Sequence, residues 1–477
     1  MSWRCSLSKC NYQYRYVAGS LPPWGPGGES QRFKSHQMFP PTTYATRRQR
    51  LADLLPTGLL FLPGNAEAPM NYRHNTYPFR QDSTFRYFAG HNLPDLALTI
   101  DADTGRSRLW GDDFTLDDVV WMGEQPAVKE LAERVGADYG GTRAQLSDLL
   151  KKHADEVHFL PPYRADRVNY LRDHLGADAG ASVALIKAVV ELRSAKSREE
   201  IAEMENAVAT SMAMHHAALR HAAPGQLESE VAGLIEGMAI GAGGRLAYPA
   251  IVTRNGQVLH NHYHGNTLAE GDLLLIDAGA ETGTGYAGDI TRTFAVGTQP
   301  DERQQAILNL VHKAKVESIA AIRPGVTYRS IHDGAGEILF AGLKELGLTQ
   351  GDPAEAVAAG AHALFMPHGL GHMIGLDVHD MEDLGEDYVG YDDESQRSDQ
   401  FGTRALRLGR RLREGFALTV EPGCYFIPAL IDRWEGEGLH RAFINYEALA
   451  GWREFGGVRL EDNVVVTEEG VRNLWPG

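Results

Sequence analysis

Acidic side chains and one imidazole interrupt apolar, strand-like runs or glycine-flanked turns in the second half of the chain. An unpaired carboxylate in such a run costs several kcal/mol or becomes protonated, so a positive partner must lie beside these groups. Four carboxylates and one imidazole carry more negative charge than one divalent ion normally draws, which favours two metal ions that share bridging carboxylates. The residues are Asp277, Asp289, His372, Glu421 and Glu461.

The two aspartates flank a predicted hairpin. Asp277 ends a run of four aliphatic residues just before a glycine turn, and Asp289 begins the next strand twelve residues later. A hairpin would bring both carboxylates within reach of one ion, and without a cation they would repel each other. Capping of turns is the alternative role for both residues.

Three histidines lie within twelve positions among glycines, which allow the backbone to approach a ligand closely. They are His368, His372 and His379. A lone histidine would more often be structural, whereas this spacing indicates a functional site in which one imidazole suffices as a metal ligand.

The two glutamates occupy strand-like surroundings. Glu421 ends an apolar run and precedes Pro422, which terminates a strand. Glu461 lies in a valine-rich run, and Arg459 stands two residues earlier on the same face. A salt bridge between Arg459 and Glu461 is the alternative to a metal ligand at that position.

Length and composition limit the class of protein. A chain of 477 residues favours two domains, and a net charge of −17 disfavours nucleic acid and anionic membranes as partners. No apolar stretch reaches the roughly 18–20 residues of a membrane span, and the amino terminus lacks a signal sequence, so we expect a cytoplasmic protein. Three scattered cysteines, Cys5, Cys10 and Cys424, fit a reducing compartment.

Periodicity divides the chain into three parts: a flexible tail over residues 1–37, a small α/β domain over 38–190, and an α+β domain with antiparallel strands over 191–477. Ser197 and Glu200 form a capping box that predicts the start of a long helix. Two polar insertions without periodicity, Glu382–Leu406 and Ile431–Glu454, are predicted to be surface loops or oligomer contacts. The other predicted helices are Arg47–Leu55, Leu227–Ile240, Arg303–Ile322 and Tyr328–Leu346, and the first strands are Gly58–Leu62 and Leu96–Ile100.

The order Asp, Asp, His, Glu, Glu resembles that of the pita-bread metallopeptidases, which include methionine aminopeptidase, aminopeptidase P and prolidase. The resemblance covers about Glu191 to the end and implies a pita-bread catalytic domain. It also implies that Asp277 holds one ion, that Asp289 and Glu461 bridge two ions, and that His372 and Glu421 complete the second.

The same resemblance assigns roles around the metal ions. Glu421 is expected to accept the proton of the attacking water, and His379 or His368 to stabilise the oxyanion. His260, His368 and His379 fall where the family has substrate-contacting and proton-handling histidines, and we assign Arg459 to substrate binding. Manganese is the favoured ion because hard oxygen ligands suit it, with zinc or cobalt as alternatives.

The segment Tyr77–Gly90 resembles part of the extra domain of aminopeptidase P and prolidase, and Trp121-Met-Gly is similar to a stretch in prolidases and some bacterial aminopeptidase P relatives. Without that comparison, the roughly alternating aromatic residues of Tyr77–Gly90 predict only a packed strand. The resemblance implies a Xaa-Pro aminopeptidase acting on peptides with proline at the second position, as a homodimer or homotetramer. The alternatives are a Xaa-Pro dipeptidase (prolidase) and, more remotely, a non-catalytic binding module on the same fold.

Overall fold

The computed structural model describes residues 39–475, so the predicted tail over residues 1–37 lies outside the described residues. Helices and strands alternate through the first part, as predicted for a small α/β domain. Its helices are α1 (Pro41–Asp53), α2 (Ser83–Ala89), α3 (Leu116–Met122), α4 (Val128–Arg134), α5 (Arg143–Lys152) and α6 (Ala165–Leu175). Its strands are β1 (Leu59–Pro63), β2 (Pro69–Tyr72), β3 (Asn75–Thr76), β4 (Ala97–Asp101), β5 (Ser107–Trp110), β6 (Asp138–Gly141) and β7 (Val157–His158).

A mixed five-stranded sheet forms the centre of this part, in the order β6-β5-β4-β1-β7. Strand β1 pairs antiparallel with β4 and parallel with β7. The apolar side chains of β1 and β4 are buried, including Leu60 and Ile100, which face each other in register. The α/β prediction for the first part is therefore confirmed.

The aromatic segment around residue 85 is a helix, so the packed strand predicted from its alternation is wrong. Asp82 accepts a hydrogen bond from the Phe85 amide at 2.7 Å and caps α2, and Gly90 ends the helix with φ of 69°. All seven residues of α2 are buried. A helix buried on every side shows no amphipathic period, and for that reason the pattern was ambiguous.

The second part begins with α7 (Val183–Ser194), so the domain boundary predicted at residues 190–191 falls inside a helix. The capping box of Ser197 and Glu200 is confirmed at the start of α8. The helices that follow are α8 (Arg198–His221), α9 (Glu228–Gly241), α10 (Glu302–Ala321), α11 (Tyr328–Glu345), α12 (Pro353–Ala359), α13 (Glu386–Val389), α14 (Pro428–Glu437) and α15 (Tyr446–Leu449). The strands are β8 (Arg245–Leu246), β9 (Ile251–Thr253), β10 (Leu273–Asp277), β11 (Ala280–Glu281), β12 (Thr291–Ala295), β13 (Ala417–Val420), β14 (Gly423–Tyr425), β15 (Gly457–Arg459), β16 (Asp462–Val466) and β17 (Val471–Asn473).

Two three-stranded antiparallel sheets, β12-β10-β9 and β13-β16-β17, form the framework of the second part. Helices α8 and α9 pack on the first sheet, and α10 contacts the second. A single bridge between Thr291 and Glu461 joins the two strand systems. The predicted α+β pattern with antiparallel strands is confirmed.

The prediction of a surface loop over Ile431–Glu454 is wrong. Pro428 starts α14 at its first position, and Gly438 ends that helix in the left-handed conformation. Ile431 and Trp434 are buried in a core shared with α10 and α11. The first insertion contains α13 and short 3₁₀ turns at Glu382–Leu384 and Thr403–Ala405.

One apolar core extends through both parts of the chain. It contains Phe85 and Tyr87 from α2, Tyr286 from the segment before β12, and Leu418 and Val464 from the second antiparallel sheet. Among residues 39–475, no helix has the length and apolar character needed to cross a membrane.

Candidate metal centre

The two aspartates predicted as ligands lie together at one edge of the sheet β12-β10-β9. Strands β10 and β12 form the predicted antiparallel pair, with Asp277 opposite Thr291 and Asp289 two residues before that partner. The Tyr248 hydroxyl bonds to Asp277 Oδ1 at 2.6 Å and to Asp289 Oδ1 at 2.5 Å. Because one hydroxyl carries one proton, it can donate to only one of these two carboxylates at a time.

Glu461 comes from the other strand system and lies against the same edge. Its backbone amide donates to the Thr291 carbonyl at 3.0 Å, and the Thr291 hydroxyl donates to its Oε2 at 2.7 Å. Its other oxygen, Oε1, is buried and has no hydrogen-bond partner. A buried carboxylate oxygen without a donor is the property expected of a cation ligand.

His372 and Glu421 complete the cluster. His372 Nε2 is 3.3 Å from Asp289 Oδ2 and 3.6 Å from Glu421 Oε1. Ligand atoms of Asp289, His372 and Glu461 all lie within 4.8 Å of one another. His372 Nδ1 lies 3.0 Å from the Met373 carbonyl and donates its proton to it, so Nε2 is the nitrogen that would bind a metal ion once it loses its own proton.

Burial and mutual repulsion dominate the electrostatics of this cluster. Burial, together with the charges of Asp289, Glu421 and Asp277, raises the pKa of Glu461 well above its usual value. Burial also raises the pKa of Glu421 to about 7. Burial opposes ionisation of Asp289 as well, but its hydrogen bond and ion pair with His372 hold its pKa below the usual value. A bound cation would favour the charged carboxylates, and the donor set of oxygens with one imidazole nitrogen therefore fits divalent metal ions.

Arg459 contacts the cluster, although not at the predicted partner. Its Nη2 lies 2.6 Å from Asp277 Oδ2, and its Nη1 donates to the Tyr425 hydroxyl at 3.0 Å. The salt bridge with Glu461 considered from the sequence is replaced by this ion pair with Asp277. Glu461 lies in the bridge between β15 and β16 and not within either strand, so the alternation that put Arg459 on its face does not hold.

The remaining histidines surround the cluster. His368 Nδ1 is 3.9 Å from Glu421 Oε2, and its Nε2 is 2.9 Å from the Tyr425 hydroxyl. The ring of His379 stacks on that of His372, with 3.8 Å between centroids and an interplanar angle of 30°. His260 is exposed, and partial burial together with the charge of Arg459 lowers its pKa.

Sequence reasoning missed several polar groups that contact the predicted residues. Besides Tyr248 and Tyr425, Glu382 binds His379, with Oε2 at 2.5 Å from Nδ1, and pairs with Arg407 through its other oxygen. Glu382 lies only three residues after His379, so this spacing was the one available signal. Tyr248 lies in a loop without periodicity and gave none.

The chain matches the Metallopeptidase family M24 over residues 202–468 and the aminopeptidase P N-terminal domain over residues 44–159. The chain belongs to metallopeptidase family M24. This family membership establishes a hydrolase of the metallo-aminopeptidase type with divalent metal ions as cofactor, and the pita-bread fold with an aminopeptidase P type N-terminal domain is confirmed.

Relatives within M24 cover nearly the whole chain. A probable Xaa-Pro aminopeptidase of Fusarium vanettenii is 31% identical over 430 residues, which are 87% of this chain and 88% of that protein. Human Xaa-Pro dipeptidase is 30% identical over 455 residues, which are 91% of each chain. Among solved structures, proline aminopeptidase P II from Yersinia pestis has 30% identity and a TM-score of 0.75, covering 92% of this chain and 96% of that one. Aminopeptidase P from Escherichia coli with the inhibitor Pro-Leu has 29% identity and a TM-score of 0.73, covering 92% and 95%.

Proposed function

We propose that this M24 enzyme is a Xaa-Pro aminopeptidase that releases the first residue of peptides with proline at the second position. The observation that carries the proposal is the cluster of Asp289, His372 and Glu461, whose ligand atoms lie within 4.8 Å and which leaves one buried glutamate oxygen without a partner. Relatives named for Xaa-Pro cleavage that match over nearly the full chain support the choice of substrate.

The ligand set of the proposal is Asp277, Asp289, His372, Glu421 and Glu461, holding two divalent ions, with manganese favoured over zinc or cobalt. When bound, such ions lower the pKa of water so that it attacks at neutral pH, and they polarise the scissile carbonyl. The structure of zinc-substituted Escherichia coli aminopeptidase P in complex with product is similar to that of this chain, which supports a site that accepts more than one metal.

The protein's own residues move protons and orient the peptide. Glu421 accepts the proton of the attacking water and passes it to the proline nitrogen. The Gly369 carbonyl and the Tyr425 hydroxyl bind the two nitrogens of His368, and Glu382 binds Nδ1 of His379, which fixes the orientation of both imidazoles. In this proposal one of the two histidines stabilises the oxyanion. We assign substrate binding to Arg459, which pairs with Asp277 at 2.6 Å, and to His260, which is exposed.

Proline is the reason for a dedicated enzyme. The proline nitrogen in the scissile bond is a tertiary amide nitrogen without a proton, and the ring fixes φ near −65°. A general peptidase that recognises an extended backbone through N–H groups cannot bind such a bond in its usual way. The proposed function therefore requires a shaped pocket next to the metal ions.

A peptide panel tests the proposal. Wild-type enzyme and Glu421→Gln are assayed on Xaa-Pro and Xaa-Pro-Yaa peptides with manganese, with zinc and without metal. We expect cleavage of the tripeptides with manganese, and loss of turnover in Glu421→Gln with the fold retained. Cleavage of dipeptides alone would establish prolidase, the alternative favoured by the human relative. A protein that binds no metal at saturating manganese would instead support a binding module.

Assembly and location belong to the same proposal. We infer a homodimer or homotetramer, which sedimentation in the presence of manganese tests directly. The cytoplasm is the location that fits the sparse cysteines, of which Cys424 is free and buried.

A further inference from the structure

The loop that carries His379 is held at both ends by carboxylates. Asp377 and Asp380 flank it, and the Asp377 amide donates to Asp380 Oδ1 at 3.2 Å. Arg193 at the end of α7 pairs with both of these aspartates, at 2.9 Å and 2.6 Å. Lys196 pairs with Asp380 at 2.9 Å. The backbone on either side of His379 is therefore fixed by ion pairs from the segment between the two domains.

The N-terminal domain reaches the same loop. Just before α2, Arg80 donates through Nη2 to the Leu376 carbonyl at 2.5 Å and lies 3.6 Å from Asp377 Oδ1. The Ser83 hydroxyl donates to the same oxygen of Asp377 at 2.5 Å. These contacts connect residues almost three hundred positions apart in the chain.

Arg80 also binds the other side of the metal centre. Its Nε donates to Glu281 Oε2 at 2.5 Å, and Glu281 lies in β11, within the hairpin that connects Asp277 to Asp289. One guanidinium therefore contacts the hairpin that carries the two aspartates and the loop that carries His379. A planar group with donors in a fixed fork suits this task, because it holds both acceptors at a set separation.

We propose that Arg80 is a positioning residue of the N-terminal domain, which sets the place of His379 relative to the aspartates by joining Glu281 to the Leu376 carbonyl and the Asp377 carboxylate. This inference rests on the proposed function, in which His379 acts on the substrate. It gives the N-terminal domain a direct part in turnover. Arg193 acts on the same loop, but it is 2% exposed and its removal would leave buried charges unpaired. Arg80, with 29% of its side chain exposed, is the better residue to change.

The test compares Arg80→Gln with a matched control, Arg245→Gln. Arg245 also approaches Glu281, at 3.7 Å, and donates to the Phe79 carbonyl, and neither of these partners belongs to the His379 loop. Full-length proteins are assayed with manganese on the Xaa-Pro-Yaa peptide that the wild type cleaves best, and bound metal and thermal unfolding are recorded for each. We expect kcat of Arg80→Gln to fall by about tenfold to a hundredfold, as for a small displacement of a catalytic group, with KM and bound metal unchanged. The control should stay close to wild type.

A double-mutant cycle with His379→Ala separates positioning from general damage. If Arg80 acts through His379, Arg80→Gln causes little further loss of kcat in the His379→Ala background, because residues that act as a unit are not additive. Full multiplication of the two losses would overturn the proposal, as would an unchanged kcat in Arg80→Gln or a loss of bound metal in that variant.

Ser83→Ala provides a milder check, because the Ser83 hydroxyl accepts a hydrogen bond from Arg80 Nη1 at 3.0 Å and donates one to Asp377, so the variant weakens the same connection but keeps the guanidinium that binds Glu281. It should lower kcat in the same direction by a smaller factor, and a fall in Arg80→Gln without any fall in Ser83→Ala would also count against the proposal. Failure of this positioning proposal is distinguishable from failure of the proposed function. If the proposed function were wrong, the wild type itself would cleave no Xaa-Pro bond.

Discussion

Removal of the Asp380 carboxylate is expected to destabilise the protein strongly. The side chain is 1% exposed and pairs with Arg193 and Lys196. After Asp380→Ala, Arg193 keeps Asp377 at 2.9 Å, whereas Lys196 keeps only backbone carbonyls, the nearest at 2.7 Å. Breaking one side of a buried ion pair costs about 3–5 kcal/mol. Because one of the two cations retains a carboxylate, we expect the free energy of unfolding to fall by about 3 kcal/mol, at the lower end of that range.

Urea denaturation followed by tryptophan fluorescence measures this loss, with manganese at saturation in all samples. The control is Glu191→Ala, which removes an ion pair with Arg413 that starts from the same helix, α7, but is about half exposed at both side chains (49% and 55%). An exposed pair contributes less than about 1 kcal/mol. Equal losses of unfolding free energy in the two variants would refute the reasoning, because they would mean that burial does not increase the cost of breaking an ion pair.

The contribution of the Asp380 carboxylate to the free energy of unfolding is expected to depend on pH in the acid range. Burial opposes ionisation of Asp380, but Lys196 and Arg193 outweigh it and hold its pKa below the usual value. Its contribution is therefore complete above the unfolded-state pKa of about 3.9 and is lost as the pH falls through the lower folded pKa. In acid titrations of stability, Asp380→Asn should lack this part of the decline seen in the wild type.

Three further variants, the last with a matched control, test the metal centre and the hairpin that carries its two aspartates. Without metal, the buried Glu461 carboxyl group must either repel its neighbours or take up a proton, and both destabilise the fold. Metal-free Glu461→Gln should therefore unfold at a higher temperature than the metal-free wild type, yet lose the gain of about 2.7 kcal/mol per site that metal at about 100 Kd gives; a lower melting temperature of the metal-free variant would contradict this. Tyr248→Phe should act in the opposite direction without metal, by about 1.5–3 kcal/mol, because two aspartates lose their shared donor; an unchanged melting temperature in chelator would count against it. Gly279→Ala would bring Cβ within 1.7 Å of the Gly288 carbonyl and should destabilise by about 3 kcal/mol in urea, whereas Gly237→Ala in α9 meets no atom within 4 Å and should be neutral or stabilising. Similar urea midpoints for the two glycine variants would refute the steric argument.

Local signals predicted the elements well where the cause is local. The capping box at Ser197 and the amphipathic runs placed α8 to α11 within a few residues of their observed ends. The buried insertion at α14 was not predictable in this way, since Ile431 and Trp434 are covered by α10 and α11, which lie more than 80 residues earlier in the chain. Polar composition indicated a surface loop, and tertiary packing decided otherwise.

The candidate site shows the same division. The order of acidic and imidazole residues in apolar runs predicted which side chains converge. A charged residue within an apolar run can be recognised from a single sequence, and because an unpaired buried charge is costly, it must have a partner. The partners of those residues were not visible. Arg459 pairs with Asp277 across 182 positions, and Tyr248 joins the two aspartates from an irregular loop. Such contacts form only when the whole chain is folded, and they produce no periodic pattern in the sequence.

The apolar core that runs through both parts of the chain has a consequence for the way the enzyme is degraded. Tyr286, next to the aspartate hairpin, packs near Phe39 with 6.3 Å between ring centroids, and its hydroxyl binds Glu200. If a protease cut between the two domains and the fragments separated, the catalytic half would lose these aromatic contacts and expose part of its core. We expect such a nick to abolish turnover and hasten clearance of both fragments, with no shorter working peptidase released.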